Sequence, residues 1–159
     1  MRQAERIRYL ALAVQREGNR RLTADLMPLG LTTAQSEVLR ILGDHAPMTL
    51  TALGRMLVCE SGTNPSRLVD KLVDAGLVQR VTSDVDRRRV TLTLTDEGAD
   101  RERAVQEVEN RTYAVLESTF AAIDVDGLIA YLELLVSGQP AGLALAERIA
   151  AEGDARASR

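Results

Sequence analysis

The sequence predicts a mostly helical fold carrying one small β-hairpin. Three observations support this. Apolar residues recur at three-and-four spacing towards both ends of the chain, helix-capping signatures punctuate its middle, and a single β-branched alternation, Val90-Thr91-Leu92-Thr93-Leu94, interrupts the helical pattern. The length of 159 residues, with 45% hydrophobic and 27% charged residues, fits one ordinary globular domain with helical extensions.

The elements follow in order. From about Ala4 to Leu26, Ile7, Leu10, Ala11 and Val14 share one helical face, and Pro28 and Gly30 break the run. Thr32 with Gln35 three positions on is a capping-box signature for a second helix with Val38, Leu39, Ile41 and Leu42 on its buried face. Gly43 is expected to end that helix, and Pro47 separates it from the next. Thr49 caps a short third helix carrying Leu50, Leu53 and Leu57. Asn64-Pro65 is the best-defined helix start in the chain, because asparagine caps through its side-chain oxygen and proline is pre-set for the first helical position. Leu68, Val69, Leu72 and Val73 form the inner face of this fourth helix, and Gly76 sits where a left-handed cap belongs.

Beyond Gly76 the pattern changes. Leu77-Val78-Gln79-Arg80-Val81 and Val90–Leu94 read as two strands joined by the polar stretch Thr82–Arg89, a long hairpin. Thr95 caps a long helix to about Ser118, and another begins near Asp124. Gly138 and Pro140 interrupt it before a shorter segment and a polar tail.

Composition excludes several classes of function. With 20 basic and 23 acidic residues, net −3, the chain is no uniformly cationic nucleic-acid coat. Lys71 is the sole lysine; the remaining basic residues are arginines, suited to bidentate phosphate and guanine contacts. One cysteine (Cys59) and one histidine (His45) allow neither an internal disulfide nor a Cys/His zinc site, so no metal or cofactor is expected. Aromatic residues at 3% are too few for a single-strand stacking platform. No apolar run reaches the roughly 18 residues of a membrane span, and the basic amino terminus lacks the apolar core of a secretory signal, so a cytoplasmic location is expected. No nucleophile elbow surrounds Ser61-Gly62, and no phosphate loop or dinucleotide fingerprint occurs, so no catalysis is expected.

Two short helices, the second capped and followed at once by a hairpin, describe a winged helix-turn-helix bracketed by helices at both ends. Such a small unit cannot bury two terminal amphipathic helices alone, so a homodimer is expected to cover them. The domain reading is residues 31–98 for the winged helix-turn-helix, 1–30 and 99–152 for helical dimerisation, and 153–159 for a polar tail.

Five segments in order resemble the multiple antibiotic resistance regulator (MarR) family. They are Leu31-Thr32-Thr33-Ala34-Gln35 with Val38-Leu39; Met48–Leu53; Pro65–Leu72 with Ala75-Gly76-Leu77-Val78; Asp86-Arg87-Arg88; and Leu94-Thr95 with Gly98. The resemblance implies a transcription regulator, more often a repressor, acting as a homodimer on double-stranded DNA of pseudo-palindromic sequence. It also implies release by a small-molecule inducer bound between dimer core and wing, near Tyr9 and Tyr113; ordinary packing is the simpler reading of both tyrosines.

Chemistry supports the DNA reading. A recognition helix offers its first two turns to base edges, which places Ser66 and Arg67 in the window with Thr63 and Asn64 just before it. Thr63 and Asn64 are equally explained as plain caps. Lys71 follows Arg67 by one helical turn and suits a phosphate, though a solvated lysine is an even alternative. At the hairpin tip, the resemblance assigns minor-groove insertion to Arg88, with Asp86 shaping the turn and Arg87 and Arg89 contacting the backbone; the bland alternative is a solvated charge run. From Thr49 to Thr95 seven basic residues (Arg55, Arg67, Lys71, Arg80, Arg87, Arg88, Arg89) face five acidic ones (Glu60, Asp70, Asp74, Asp84, Asp86). That is net +2, leaving −5 for the rest of the chain.

Cys59 reads as a small apolar residue in the helix-turn-helix turn and His45 as a surface residue. Two other functions compete with the main reading: an oxidant-sensing regulator using Cys59, and a winged-helix module that binds protein rather than DNA.

Overall fold

The computed structural model describes residues 1–58, 64–82 and 90–157, the last four by backbone alone. Among the described residues the helices are α1 (Gln3–Leu26), α2 (Thr33–His45), α3 (Leu50–Met56), α4 (Pro65–Asp74), α5 (Asp96–Glu117), α6 (Val125–Val136) and α7 (Pro140–Ala157). Single 3-10 turns follow α1 and α5. The strands β1 (Val78–Thr82) and β2 (Val90–Leu94) pair antiparallel, with Val78 opposite Leu94 and Thr82 opposite Val90. The fold is the winged helix-turn-helix flanked by helices that the sequence predicts.

Capping sets the helix starts. Thr32 Oγ1 accepts the Gln35 amide at 3.3 Å, and Gln35 Oε1 accepts the Thr32 amide at 2.9 Å, a reciprocal capping box. Thr49, Asn64, Thr95 and Asp124 each accept an amide from the first turn of the helix they begin. Gly76, at φ +71°, ends α4 in the left-handed region, where a side chain would be strained.

A single core joins α2, α3, α4, β2 and α5 through Leu39, Ile41, Leu53, Leu72, Leu92 and Val105, all fully buried. One link had no sequence signal: Met48, just before α3, exchanges both backbone hydrogen bonds with Leu92, at 3.3 and 2.7 Å. The α2–α3 connection is thus a third rung on the hairpin, and it anchors the wing to the helices.

Three expectations need correction. Gly43 does not end α2, which continues to His45. A Cβ at position 43 would lie 2.9 Å from the Glu102 side-chain carbons, so the glycine serves a close approach of α5 instead of a stop. His45 is half-buried rather than on the surface, with Nε2 shielded and unpartnered among the described residues. The segment after Pro140 is a full helix to Ala157, because its many alanines and paired charges outweigh Gly142 and Gly153.

The terminal helices leave apolar side chains in solvent: Ile7, Leu10 and Val14 on α1, Val115 and Leu116 on α5, and Leu128 and Leu132 on α6. Among the described residues no helix is long and apolar enough to cross a membrane.

Candidate nucleic-acid interface

The expected recognition helix is α4, and its periodicity fixes which side chains can reach a ligand. Leu68, Val69 and Leu72 are buried against the core, which turns Arg67 and Lys71, one turn apart, outward into solvent. At the start of the helix Asn64 Oδ1 accepts the Ser66 amide at 2.9 Å, with Pro65 at the first helical position. Asn64 therefore acts as a cap, and its exposed position keeps it beside the same surface. Ser66 is half-buried beside Arg67.

Other basic groups nearby are already paired. Arg80 on β1 reaches Asp70 on α4 at 2.5 Å, tying α4 to the hairpin. Arg55 on α3 meets Glu147 on α7 at 3.1 Å. Among the described residues, Arg67 and Lys71 form no ion pair, so their full charge faces outward. Thr63 and the wing residues Asp86, Arg87, Arg88 and Arg89, together with Cys59, lie outside the described residues.

The exit of α4 is joined to the start of α5 by a compact joint. Thr95 Oγ1 donates to the Gly76 carbonyl at 2.6 Å and accepts the Gly98 amide at 2.9 Å, while the Thr95 amide donates to the Leu77 carbonyl at 3.1 Å. The end of α4 and the first turn of α5 thus share one hydrogen-bonded threonine.

Between frame and reading head sits a polar cluster that sequence reasoning missed. Arg40 on α2 binds Glu102 and, at 3.1 Å, Glu109 on α5, and reaches Asp44 at 3.4 Å. Arg40, Glu102 and Glu109 are largely buried. Burial pushes the Glu109 carboxyl above the usual carboxylate range, against the opposing pull of Arg40. A signal was available in the sequence: Glu102 and Glu109 stand in the same helical stripe as the buried Val105.

Tyr9 and Tyr113 are both about half exposed. The Arg8 guanidinium lies 5.2 Å from the Tyr9 ring centre, and the Tyr113 hydroxyl donates to Glu109 at 3.4 Å. A cleft of about 500 Å³ opens between α3 and α7, and a smaller one of about 240 Å³ between α6 and α7; neither tyrosine lines them.

Comparison with known proteins agrees with this architecture. The sequence pattern of the MarR family matches residues 31–90. An organic hydroperoxide resistance transcriptional regulator of Bacillus subtilis is 31% identical over 91 residues, which are 57% of this chain and 61% of that protein. The match thus spans less than two thirds of the relative's length. Reduced AbfR bound to DNA superposes with a TM-score of 0.62 at 27% identity, over 84% of this chain and 92% of that one. A MarR variant from E. coli complexed with operator DNA gives 0.64 at 26% identity, over 83% and 92%. The winged helix-turn-helix over residues 31–90 thus carries the MarR family pattern, and the fold around it is similar to that of AbfR and MarR.

Proposed function

We propose that this chain is a homodimeric, sequence-specific DNA-binding regulator of transcription, with repression the expected sense and a small molecule the expected release signal. The observation that carries the reading is the outer face of α4. Of the described basic groups around the helix-turn-helix, Arg55 and Arg80 are held in ion pairs, whereas Arg67 and Lys71 stand free on the exposed face. Arg67 reads a base edge and Lys71 grips a phosphate, with Ser66, Asn64 and Thr63 beside them. Arg88 enters the adjacent minor groove, flanked by Asp86, Arg87 and Arg89. Both solved relatives named above are bound to DNA, which supports the same partner here.

The charge distribution shapes how such binding works. Net −3 overall gives a weak sequence-independent grip, so selectivity rests on a few base contacts in each of two half-sites about one helical turn apart. Residues 31–98 form the reading unit in this proposal, and 1–30 with 99–152 the dimer frame. The exposed Ile7, Leu10, Leu128 and Leu132 supply the apolar area a second copy would cover.

Footprinting the purified protein along its own promoter region tests the function directly. On the protected fragment, Arg67→Ala is expected to lower affinity by roughly ten- to a hundredfold and to relax the preference at one base pair. Arg88→Ala should weaken binding and flatten the salt dependence by about one phosphate equivalent. A wild-type protein that protects no site would refute the proposal, and unchanged affinity in Arg88→Ala would refute the wing assignment. Sedimentation at micromolar concentration should give twice the chain mass; a folded monomer there would remove the dimer.

A further inference from the structure

The outer face of α4 carries Arg67, Asp70, Lys71 and Asp74. Two cations against two carboxylates would leave that face neutral. Asp70 follows Arg67 by three positions, one turn along the same face, where the two side chains are within reach of each other. They do not pair. The Arg80 guanidinium on β1 holds the Asp70 carboxylate at 2.5 Å, and Arg67 forms no ion pair among the described residues. Asp74 is exposed but stands two turns along from Arg67, out of its reach. Only Asp70 can therefore compete for Arg67 from within α4, and the hairpin already occupies it.

We propose that Arg80 is a positioning residue for the contact between α4 and DNA: by occupying Asp70 from the hairpin side, it keeps that carboxylate off Arg67 and leaves the Arg67 fork free for a base edge. The inference rests on the DNA-binding reading above and supplies the reason that Arg67 is available to it. Its physical basis is competition for one carboxylate. An arginine paired within its own helix must give up that pair before it can bind a base edge through both arms. An unneutralised carboxylate beside it also repels the phosphates. Arg80 removes both costs. The tie between helix and hairpin is the lesser consequence, because the Arg80 and Asp70 side chains are 41% and 48% exposed and ion pairs this open contribute little to stability.

The test uses the full chain with Arg80→Ala, Asp70→Asn and the two combined. Three quantities are read: affinity for the footprinted promoter fragment, preference at the base pair that Arg67→Ala relaxes, and nuclear magnetic relaxation of the Arg67 Nε–H group without DNA. Asp70→Asn breaks the same ion pair as Arg80→Ala but takes the competing charge away, so it separates the carboxylate from the tie. Arg80→Ala should weaken binding about fivefold, relax that base preference and restrict the Arg67 side chain, with an almost unchanged thermal midpoint. Asp70→Asn alone should bind within about twofold of the wild type. Added to Arg80→Ala, it should restore most of the affinity, the base preference and the Arg67 mobility. Equal losses in the two single variants would make the tie to the hairpin the cause and overturn the proposal. A combined variant as weak as Arg80→Ala would show Arg80 gripping a phosphate itself, which overturns it as well. If the wild type selects no DNA, the DNA reading falls, while Arg67 relaxation still reports whether Arg80 keeps Asp70 away. Arg67 motion unchanged by Arg80→Ala overturns that hold whatever the DNA result.

Discussion

Arg40→Ala will cost the fold about 3 kcal/mol at neutral pH, and the loss will shrink as the solution is acidified. Arg40 meets Glu102 and Glu109 across the α2–α5 cluster with just 13% of its own side chain exposed, and it acts on Glu109 more strongly than Arg148, the other cation nearby. Truncation leaves two carboxylates facing each other in a largely buried site, which costs far more than the pair contributes when intact. The pH dependence follows from Glu109. Burial already raises its carboxyl in the folded protein, and Arg40 is the largest influence pulling it back down. Without Arg40 the folded state holds the Glu109 proton more firmly still than the unfolded chain does. A raised folded value means stability that is present below the unfolded carboxylate range and lost as pH rises through the folded one. The gap between wild type and variant should therefore widen from about pH 4.5 upward. Urea unfolding at several pH values, at one fixed protein concentration because the stability of the proposed dimer would depend on it, measures the gap. A pH-independent difference would mean that Arg40 serves the fold by packing alone.

The position of that cluster explains why the sequence shows some features and hides others. Capping is a contact across two or three positions, so Thr32, Thr49, Asn64 and Thr95 could be read directly, and the structure has each as a cap; Asp124, read only as the start of a helix, caps α6 as well. The two strands of the hairpin were legible for the same reason, since β-branched alternation is local, whereas their register comes from the fold. Arg40 and Glu102 are instead brought together by the fold, and nothing near either residue announces the other. Gly43 misled because a glycine near a helix end has two physical uses. Read alone, it marks a stop; with Glu102 in view, it is the one residue that lets α5 come close. Arg148 and Glu37 were hidden in the same way, since α7 folds back over most of the chain length to make their contact. At the interface, the sequence placed Arg67 and Lys71 on one helical face, and the fold added that Arg55 and Arg80 are occupied elsewhere.

Among the described glycines, Gly98→Ala should be the most damaging change, costing about 3 kcal/mol, the upper end of the overpacking range. A Cβ there would sit 1.8 Å from the Leu77 carbonyl oxygen and 2.8 Å from its carbon, contacts no real side chain makes. The obstacle is backbone, so no rotamer change relieves it. Either α5 or the exit of α4 must move, and both are held by Thr95, which bonds Gly76, Leu77 and Gly98 together. The clash is thus transmitted to the angle between α4 and α5, and in the proposed dimer reading two half-sites, DNA affinity depends on that angle. DNA affinity should consequently fall by more than the unfolded fraction explains, measured well below the midpoint of thermal unfolding. Gly153→Ala is the matched control: nothing lies within 4 Å of its added methyl, and an alanine inside α7 should gain about 0.5–1 kcal/mol from helix propensity. A Gly98→Ala protein that melts like the wild type would show that the α4–α5 joint yields easily, and the link from recognition helix to frame would then have to be sought along α2.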